Sequence, residues 1–141
     1  MNILKILTER RLTGNFGEDA AAKMLKKKGY KIVARNQVEI GNEIDIIASD
    51  SEFLSFVEVK TRRFGVENPS EPRPASSVTP EKQRRIIRAA KAYVAHHPTD
   101  KKIRFDIVEV YYDGEGSKRR VREINHLEGA FNVNTAKGYK R

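Results

Sequence analysis

The amino-acid sequence predicts a single α/β domain in which a mixed β-sheet is flanked by helices. Three observations predict this class. The chain runs in the order helix, three strands, helix, and one or two further strands. Short turn signals join the first three strands, which is typical of an antiparallel meander. The second helix then separates two long apolar strands, and such a crossover makes them parallel and the connection right-handed.

The first helix is predicted over residues 14–28. Lys26, Lys27 and Lys28 suit the negative end of the helix dipole, and Gly29 suits a C-terminal cap. Apolar residues recur at helical spacing and would face the sheet. The members of this stripe are Ala20, Ala21, Met24 and Leu25.

The meander is predicted to follow the first helix directly. Asn36 breaks or bends its first strand, and Gly41-Asn42 is a turn signal before the second. A polar turn at residues 49–52 leads into the longest apolar strand. The extended segments, in order, are residues 30–35, 38–40, 43–48 and 53–61.

A loop is predicted over residues 62–79, because Pro69, Pro72 and Pro74 exclude regular structure over much of it. Loops of this length in compact domains tend to be functional or mobile. A helix then begins with Thr79 as N-cap and Pro80 in the first position, and it ends near residue 97. Its apolar stripe consists of Ile86, Ala89, Ala90, Tyr93 and Val94.

Two strands are predicted near the C-terminus, over residues 103–112 and, at a sheet edge, over residues 119–124. The last ten residues are polar and basic, and we expect them to be loose. The domain organisation is therefore one domain at residues 12–131 and a basic, flexible tail at residues 132–141.

The composition favours a polyanionic partner. Lysine and arginine number 28 against 19 aspartates and glutamates, which gives a formal net charge of +9. Such an excess is typical of nucleic-acid-binding proteins, although a soluble basic protein is the alternative. The chain has no cysteine, which excludes disulfides and thiolate zinc sites. It has no apolar run of about 18 residues, so we expect no membrane span and a cytoplasmic location.

Charged residues interrupt two strands that otherwise read as buried. Asp45 lies in the second strand of the meander, and Glu58 and Lys60 lie in the third. Because side chains alternate along a strand, Glu58 and Lys60 share a face. A connecting turn of about four residues would place Asp45 opposite Glu58, whereas a slip of one residue would send it to the other face.

Glu18 extends the apolar stripe of the first helix toward its N-terminus. It stands at helical spacing with Ala21, Ala22 and Leu25. A helix packed on the site face of the sheet would carry this carboxylate to the rim of the same pocket. A glutamate that only stabilises the start of the helix is the alternative.

This set of residues suits phosphodiester hydrolysis. Two carboxylates a strand spacing apart would hold Mg²⁺ or Mn²⁺, which prefer oxygen ligands. The lysine of the set, Lys60, would orient a water or neutralise developing charge. The alternatives are an ion pair of Glu58 with Lys60 on a solvated face and a polar role for Asp45 near a turn. For Asp106 we expect a structural bond to Arg104 or to a neighbouring turn.

Basic residues beside this set would contact nucleic acid. Arg62 and Arg63 follow the third strand, and Lys82, Arg85 and Arg88 lie on the second helix. A charged, solvated helix face is the alternative for the last three. A homodimer is a further expectation, because two symmetric sites would suit the cutting of two strands.

Asp45 followed by Glu58-Val59-Lys60 resembles the active-site pattern of the PD-(D/E)XK nuclease superfamily, which includes restriction enzymes and Holliday-junction resolvases. More closely, the chain resembles the uncharacterised bacterial YraN-like family, over about residues 14–131. The matching segments are Gly17-Glu18-Asp19-Ala20, residues 30–36, 43–48, 56–62 and 78–83, Arg104-Phe105-Asp106, and Asn125-His126-Leu127 near Ala130-Phe131.

The resemblance implies a restriction-endonuclease-like core that depends on a metal. Asp45 and Glu58 would bind the ion with the backbone carbonyl of Val59, Lys60 would be the catalytic lysine, and Glu18 matches a helix glutamate of resolvase-like members. The chain departs from the pattern in two places. A residue separates the hairpin glycine from the glutamate that follows it, and the proline-rich loop is longer.

The expected function is therefore a metal-dependent endonuclease that binds and cuts branched or structured DNA. The alternative is a non-catalytic nucleic-acid-binding accessory module whose nuclease-type site is idle. A protein-interaction adaptor with incidental charge is a third reading.

Overall fold

The computed structural model describes residues 2–66 and 78–137. The described residues form three α-helices, five strands and one short 3₁₀ turn. In chain order these are α1 (Ile3–Lys27), β1 (Lys31–Glu39), β2 (Asn42–Ser49), β3 (Phe53–Arg63), α2 (Pro80–His96), β4 (Lys102–Asp113), the 3₁₀ turn (Gly116–Lys118), β5 (Arg120–Phe131) and α3 (Val133–Ala136). Among these helices none is long and apolar enough to cross a membrane.

The five strands form one mixed sheet in the order β1-β2-β3-β4-β5. The pair β3 and β4 is parallel, in register from Phe53 beside Lys102 to Arg63 beside Tyr112, and the other three pairs are antiparallel. The predicted class, an antiparallel meander plus a parallel strand joined by a helical crossover, is confirmed.

Helices cover both faces of the sheet. On one face α1 packs through Ala21 and Leu25 against a cluster that includes Ile46 and Val57. On the other face α2 packs through Ala89, Ala90 and Tyr93 against Ile47 and Phe56. Adjacent residues of one strand thus belong to opposite clusters, as the period of two requires.

The first helix begins eleven residues earlier than predicted. Asn2 is its N-cap, and the side-chain oxygen of Asn2 accepts from the N–H of Leu4 at 2.9 Å. The first turns leave Leu4 and Leu7 exposed, so they carry no buried stripe from which a helix could be predicted. The predicted end is confirmed. Gly29 has φ +96°, and its N–H bonds the Lys26 carbonyl, in a glycine-terminated cap.

The first strand continues through Asn36 instead of breaking there. Asn36 takes a positive φ of 51° within β1, so the bend lies inside one strand. The hairpin turn falls at Ile40-Gly41, one residue before the predicted position, with φ of 44° and 77°. Positive φ at both central residues is the geometry that two-residue hairpins favour, although a β-branched residue adopts it at a cost.

The start of α2 is confirmed, because the Thr79 side chain accepts from the N–H of Lys82 at 3.2 Å and Pro80 is the first helical residue. The predicted loop at residues 62–79 begins as strand up to Arg63. Its residues 67–77, which include the three prolines, lie outside the described residues.

The C-terminal part is more regular than predicted. The last strand, β5, extends to Phe131 rather than residue 124. The expectation of a loose tail from residue 132 is wrong for its first residues, because Asn132 caps α3 and Ala136 is buried against α2. A capping box explains this order, since Asn132 and Thr135 each bond the other's backbone. Residues 138–141 lie outside the described residues.

Candidate active site

The candidate site lies where β2 and β3 stop pairing. Their ladder runs from Ser49 beside Leu54 to Ile46 beside Val57, and the same register places Asp45 opposite Glu58. The predicted register is thus the observed one. The connecting turn fixes it, because the Asp50 carboxylate accepts from the N–H groups of Glu52 and Phe53.

The alternation of side chains along β2 is irregular at Asp45. Ile44 and Ile47 pack with α2, whereas Ile46 packs with α1. Strict alternation would put Ile44 and Ile46 on one face. At this irregularity Asp45 bonds β3 through its side chain, because its Oδ2 accepts from the N–H of Val59 at 2.8 Å.

The environment of Asp45 disfavours its charged form. Burial, followed in size by the charge of the nearby Glu58 carboxylate, raises the pKa of Asp45 to about 7. The hydrogen bond from the Val59 N–H acts in the opposite direction and lowers this pKa. The Glu18 carboxylate adds to the rise, and the Lys82 ammonium opposes it. Ionisable side chains from β3, α1 and α2 therefore all act on the Asp45 carboxylate of β2.

Lys82 forms an ion pair with Glu58. Its Nζ lies 2.6 Å from Glu58 Oε1, and the Glu58 residue is only 8% exposed. The first turn of α2 brings Lys82 there, three residues after the Thr79 cap. The sequence prediction gave Lys82 a nucleic-acid contact and did not pair it with Glu58. The two residues are distant in the chain, and only the packing of α2 on the sheet joins them.

Asn36 joins Glu18 to a second carboxylate. Its Nδ2 donates to Glu18 Oε1 at 2.7 Å and to Glu43 Oε1 at 2.8 Å. Burial raises the pKa of Glu18, and the hydrogen bond from Asn36 opposes that rise. Asn36 lies across from Asp45, because its neighbours Arg35 and Gln37 pair with the neighbours of Asp45. Sequence reasoning treated Asn36 only as a strand breaker.

A close approach of α1 to β3 sets the position of Glu18. A Cβ atom at Gly17 would lie 1.8 Å from Thr61 Oγ1 and 2.9 Å from Thr61 Cβ. Only glycine therefore permits this approach. Glu18, the next residue, is consequently held beside the C-terminal half of β3.

Lys60 follows Glu58 by two residues on β3 and is half-buried. In the parallel register it lies beside Glu109 of β4, whose residue is 8% exposed. Glu109 accepts from the hydroxyl of Tyr111 at 3.0 Å and from Asn125 Nδ2 at 3.3 Å. Lys60 therefore stands at the edge of the site between a carboxylate on its own strand and one on β4.

The chain is similar to proteins of an uncharacterised family. The model of an uncharacterised protein family, UPF0102, matches residues 17–110. A UPF0102 protein of Clostridium perfringens is 46% identical over 124 residues, covering 85% of this chain and 93% of that protein. One of Chlorobium phaeobacteroides is 42% identical over 120 residues, covering 84% and 92%. The chain belongs to the UPF0102 family. The family is part of the restriction-endonuclease-like superfamily, so the resemblance seen in the sequence is confirmed.

The matched region of this UPF0102 chain contains all the candidate site residues, from Glu18 to Lys82. A UPF0102 protein of Syntrophotalea carbinolica is 41% identical over 129 residues, which cover 90% of this chain and 98% of that protein. The family is uncharacterised, so it assigns no role to Asp45, Glu58 or Lys60.

The donor set fits a divalent cation that keeps several waters. Within residues 2–66 and 78–137, no three His, Cys, Asp or Glu side chains are close enough to form a complete cage. Two carboxylates that repel each other, Asp45 and Glu58, do meet there. Mg²⁺ commonly takes one or two carboxylates and fills its remaining positions with water or phosphate oxygens.

The other predicted nucleic-acid contacts of the UPF0102 chain are spread over two elements. Arg62 and Arg63 end β3, and the Arg63 guanidinium lies 5.0 Å from the Tyr112 ring centroid. On α2, Arg85 and Arg88 are exposed, and Arg85 pairs with Glu81 at 3.5 Å. The structure does not gather these four into one cluster with the carboxylates.

Asp106 has the structural role that the sequence predicted. It is fully buried and accepts from Arg104 Nε and Nη2 at 2.8 Å, from His126 Nε2 at 2.8 Å and from the Gly129 N–H at 3.0 Å. Burial favours its neutral form, but the hydrogen bonds from His126 and Arg104 outweigh burial and lower the pKa of Asp106 to about 2. Asp106 is thus a satisfied buried charge, in contrast to Asp45.

Proposed function

We propose that this chain is a divalent-metal-dependent endonuclease that hydrolyses phosphodiester bonds in DNA. The observation that carries the proposal is the meeting of Asp45 with Glu58 where their strands stop pairing. Burying two repelling carboxylates lowers stability and makes sense for a site that binds a cation. The membership of the chain in an uncharacterised family leaves this function open.

Asp45, Glu58 and the Val59 carbonyl would hold Mg²⁺ or Mn²⁺. The bound ion would supply Lewis acidity and a water of lowered pKa. The N–H of Val59 fixes the orientation of the Asp45 carboxylate through its bond to Oδ2.

The two lysines and Glu18 have separate tasks in this proposal. Lys60 orients the attacking water or neutralises the charge that grows on the phosphate. Lys82 balances Glu58, which it contacts at 2.6 Å. Asn36 holds Glu18 at 2.7 Å, and a Glu18 with a raised pKa is suited to exchange a proton with water near the site.

A second candidate function is a nucleic-acid-binding accessory module whose site does no chemistry. The ion pair of Lys82 with Glu58 favours it, because a lysine ammonium already neutralises one of the two carboxylates that an ion would need. The net charge of +9 supports nucleic-acid binding under either function.

A cleavage assay separates the two functions. Labelled branched, flapped and single-stranded DNA is incubated with the purified protein and Mn²⁺, then with Mg²⁺ and with EDTA. We expect cutting that needs the ion and falls at least a hundredfold in Glu58→Ala and in Lys60→Ala, the scale of losing an electrostatic catalytic group. Glu52→Ala, which removes an exposed glutamate paired with Lys102, is the matched control and keeps full activity.

No cutting of any substrate, or equal cutting by the parent and both site variants, would refute the endonuclease. Salt-sensitive binding without cutting would support the accessory module.

A further inference from the structure

A groove of about 750 Å³ lies on the α1 side of the C-terminal half of β3. Its floor includes Val59 and Thr61 of β3. One wall is the N-terminal half of α1, and the other is the connection between β4 and β5, with Gly116 and Arg119. This groove is separate from the apolar pocket between α2 and the start of β4.

Cations dominate the charge of this groove. Four arginines line it, against the carboxylates of Glu9 and Glu115, which leaves an excess of two positive charges. The arginines are Arg10, Arg62, Arg63 and Arg119. A concave surface with excess positive charge concentrates anions, and planar guanidinium groups match phosphate oxygens in pairs.

Two of these arginines are held in place by neighbouring groups. The Arg63 guanidinium lies 5.0 Å from the centroid of the Tyr112 ring. Arg62 Nη1 donates to the Thr61 carbonyl at 3.0 Å. Arginines held in this way lose little conformational entropy when an anion binds.

Arg119 gives the second, independent observation. Its Nε is buried and has no hydrogen-bond partner among the described residues. Buried polar atoms in native proteins nearly always have a partner, so an orphaned guanidinium N–H calls for an explanation. Arg119 lines the groove, and a small shift of its side chain on binding would let a phosphate oxygen there accept from this N–H.

We propose that this groove binds the sugar–phosphate backbone of a single-stranded nucleic-acid segment. Proteins that bind single strands use a positive groove that follows the backbone over a few nucleotides. The volume of the groove lies in the range of small-ligand pockets. It can hold a few nucleotides of a single strand, whereas a double helix is too wide to enter it.

This inference rests on the proposed function, because the groove leads to the candidate site. Gly14 and Thr61 line the groove, and Thr61 also contacts Gly17, the residue before Glu18. Gly14 and Glu18 are about 6 Å apart along the helix axis. Val59 also lines the groove, and its N–H binds Asp45. A single strand in the groove would therefore pass beside Asp45 and Glu18, as the unpaired arm of a flapped or branched substrate would, whereas Glu58 lies on the opposite face of β3, next to Lys82.

The test measures binding without chemistry. Fluorescence anisotropy follows a labelled 20-nucleotide oligothymidine, and a duplex of equal length, in EDTA over a range of salt concentrations. The double variant Arg10→Ala, Arg119→Ala removes two lining arginines. The matched control Arg11→Ala, Arg120→Ala removes their exposed chain neighbours, which do not line the groove.

We expect the groove variant to bind the single strand at least tenfold more weakly than the parent. The slope of log affinity against log salt should also fall by about 1.4, at about 0.7 for each lost phosphate contact. The control should keep most of its affinity and slope. Arg10→Ala alone, at an exposed helix position, repeats the test if the double variant melts early.

Equal losses in the groove variant and the control would overturn the inference, as would tighter binding of the duplex than of the single strand. The outcome is separable from that of the proposed function. Groove-dependent binding without any cutting keeps the inference and refutes the endonuclease. Cutting that depends on Glu58 but not on Arg10 and Arg119 supports the endonuclease and refutes the inference about the groove.

Discussion

The backbone N–H of Val59 donates to Asp45 Oδ2 at 2.8 Å, beyond the last paired residues of β2 and β3. The bond joins the carboxylate to the backbone of β3 at the residue after Glu58. Burial and the Glu58 charge nevertheless raise the pKa of Asp45 to about 7. Asp45 therefore keeps a proton over a pH range in which an ordinary aspartate has lost it, and this protonation can be measured.

Asp45→Asn should stabilise the protein near neutral pH. The unfolded chain releases the Asp45 proton near pH 3.8, whereas the folded chain holds it to about pH 7, so the contribution of Asp45 to stability falls as the pH rises between these values. A three-unit difference corresponds to at most about 4 kcal/mol, and we expect a gain of about 1–2 kcal/mol at pH 8 that shrinks toward pH 4. Urea unfolding at several pH values measures it.

The matched control for that experiment is Asp19→Asn, an exposed aspartate on α1 that pairs with Arg35. Its effect on unfolding should stay within about 0.5 kcal/mol. A stability difference between Asp45→Asn and the parent that does not change from pH 4 to pH 8 would contradict the raised pKa.

Glu58→Gln should lower the pKa of Asp45 toward its ordinary value, because it removes the charge with the largest effect against ionisation of Asp45. Lys82→Met should have the opposite effect and raise that pKa further. NMR titration of the side-chain carboxyl carbon of Asp45 measures both. Glu52→Gln should leave the titration where it is in the parent. If the pKa of Asp45 moved in the same direction in both site variants, the Glu58 and Lys82 charges would not act on Asp45 as described.

Gly17→Ala should destabilise the protein, because the new Cβ would lie 1.8 Å from Thr61 Oγ1. We expect a loss of about 1–3 kcal/mol in the free energy of unfolding, typical of overpacking. Gly14→Ala is the matched control on the same helix, where a Cβ has nothing within 4 Å. It should stabilise by about 0.5–1 kcal/mol through helix propensity. Urea denaturation that ranked the two variants in the reverse order would contradict the close approach of α1 to β3.

Arg104→Ala should lower stability by about 3 kcal/mol at pH 7, because it leaves the buried Asp106 without its two bonds to the guanidinium. The folded pKa of Asp106, about 2, lies below its unfolded value. Its contribution is therefore complete above about pH 4 and is lost as the pH falls toward 2. The stability difference between variant and parent should narrow over that range. Lys102→Ala, which breaks an exposed ion pair with Glu52, should cost less than about 1 kcal/mol.

The local parts of this molecule were accessible from the sequence. The Thr79-Pro80 helix start, the Gly29 cap and the facing of Asp45 by Glu58 depend on residues close in the chain or on the alternation of one hairpin. Asn36 was missed as a site residue, and Lys82 was predicted to contact nucleic acid and not Glu58, because their partners come from other elements. The local sequence pattern does not show that Asn36, at a positive φ, donates to Glu18. It also does not show that the packing of α2 brings Lys82 into contact with Glu58.

The sequence prediction was wrong at both ends of the domain for a different reason. The early turns of α1 bury little, so periodicity gave no signal for them although the Asn2 cap was present. The short helix α3 has the Asn132 and Thr135 capping pair, but its order comes from long-range contacts. Thr135 Oγ1 donates to Gln83 Oε1 at 2.6 Å, and Arg84 Nη1 donates to the Ala136 carbonyl at 2.6 Å. Composition alone cannot predict such bonds to α2.

Divalent cations should stabilise the protein in a pH-dependent way. An ion that binds the folded state raises the melting temperature by mass action, and it must displace the proton of Asp45. Affinity for Mn²⁺ should therefore fall about tenfold for each pH unit below 7 and level off above it, following the pKa of Asp45. Thermal melting in a Mn²⁺ titration at pH 6, 7 and 8 measures this dependence. Asp45→Asn and Glu58→Ala should lose the shift, whereas Glu52→Ala should keep it. A shift of the melting temperature of equal size in all three variants would show that the ion binds elsewhere on the surface and not at Asp45 and Glu58.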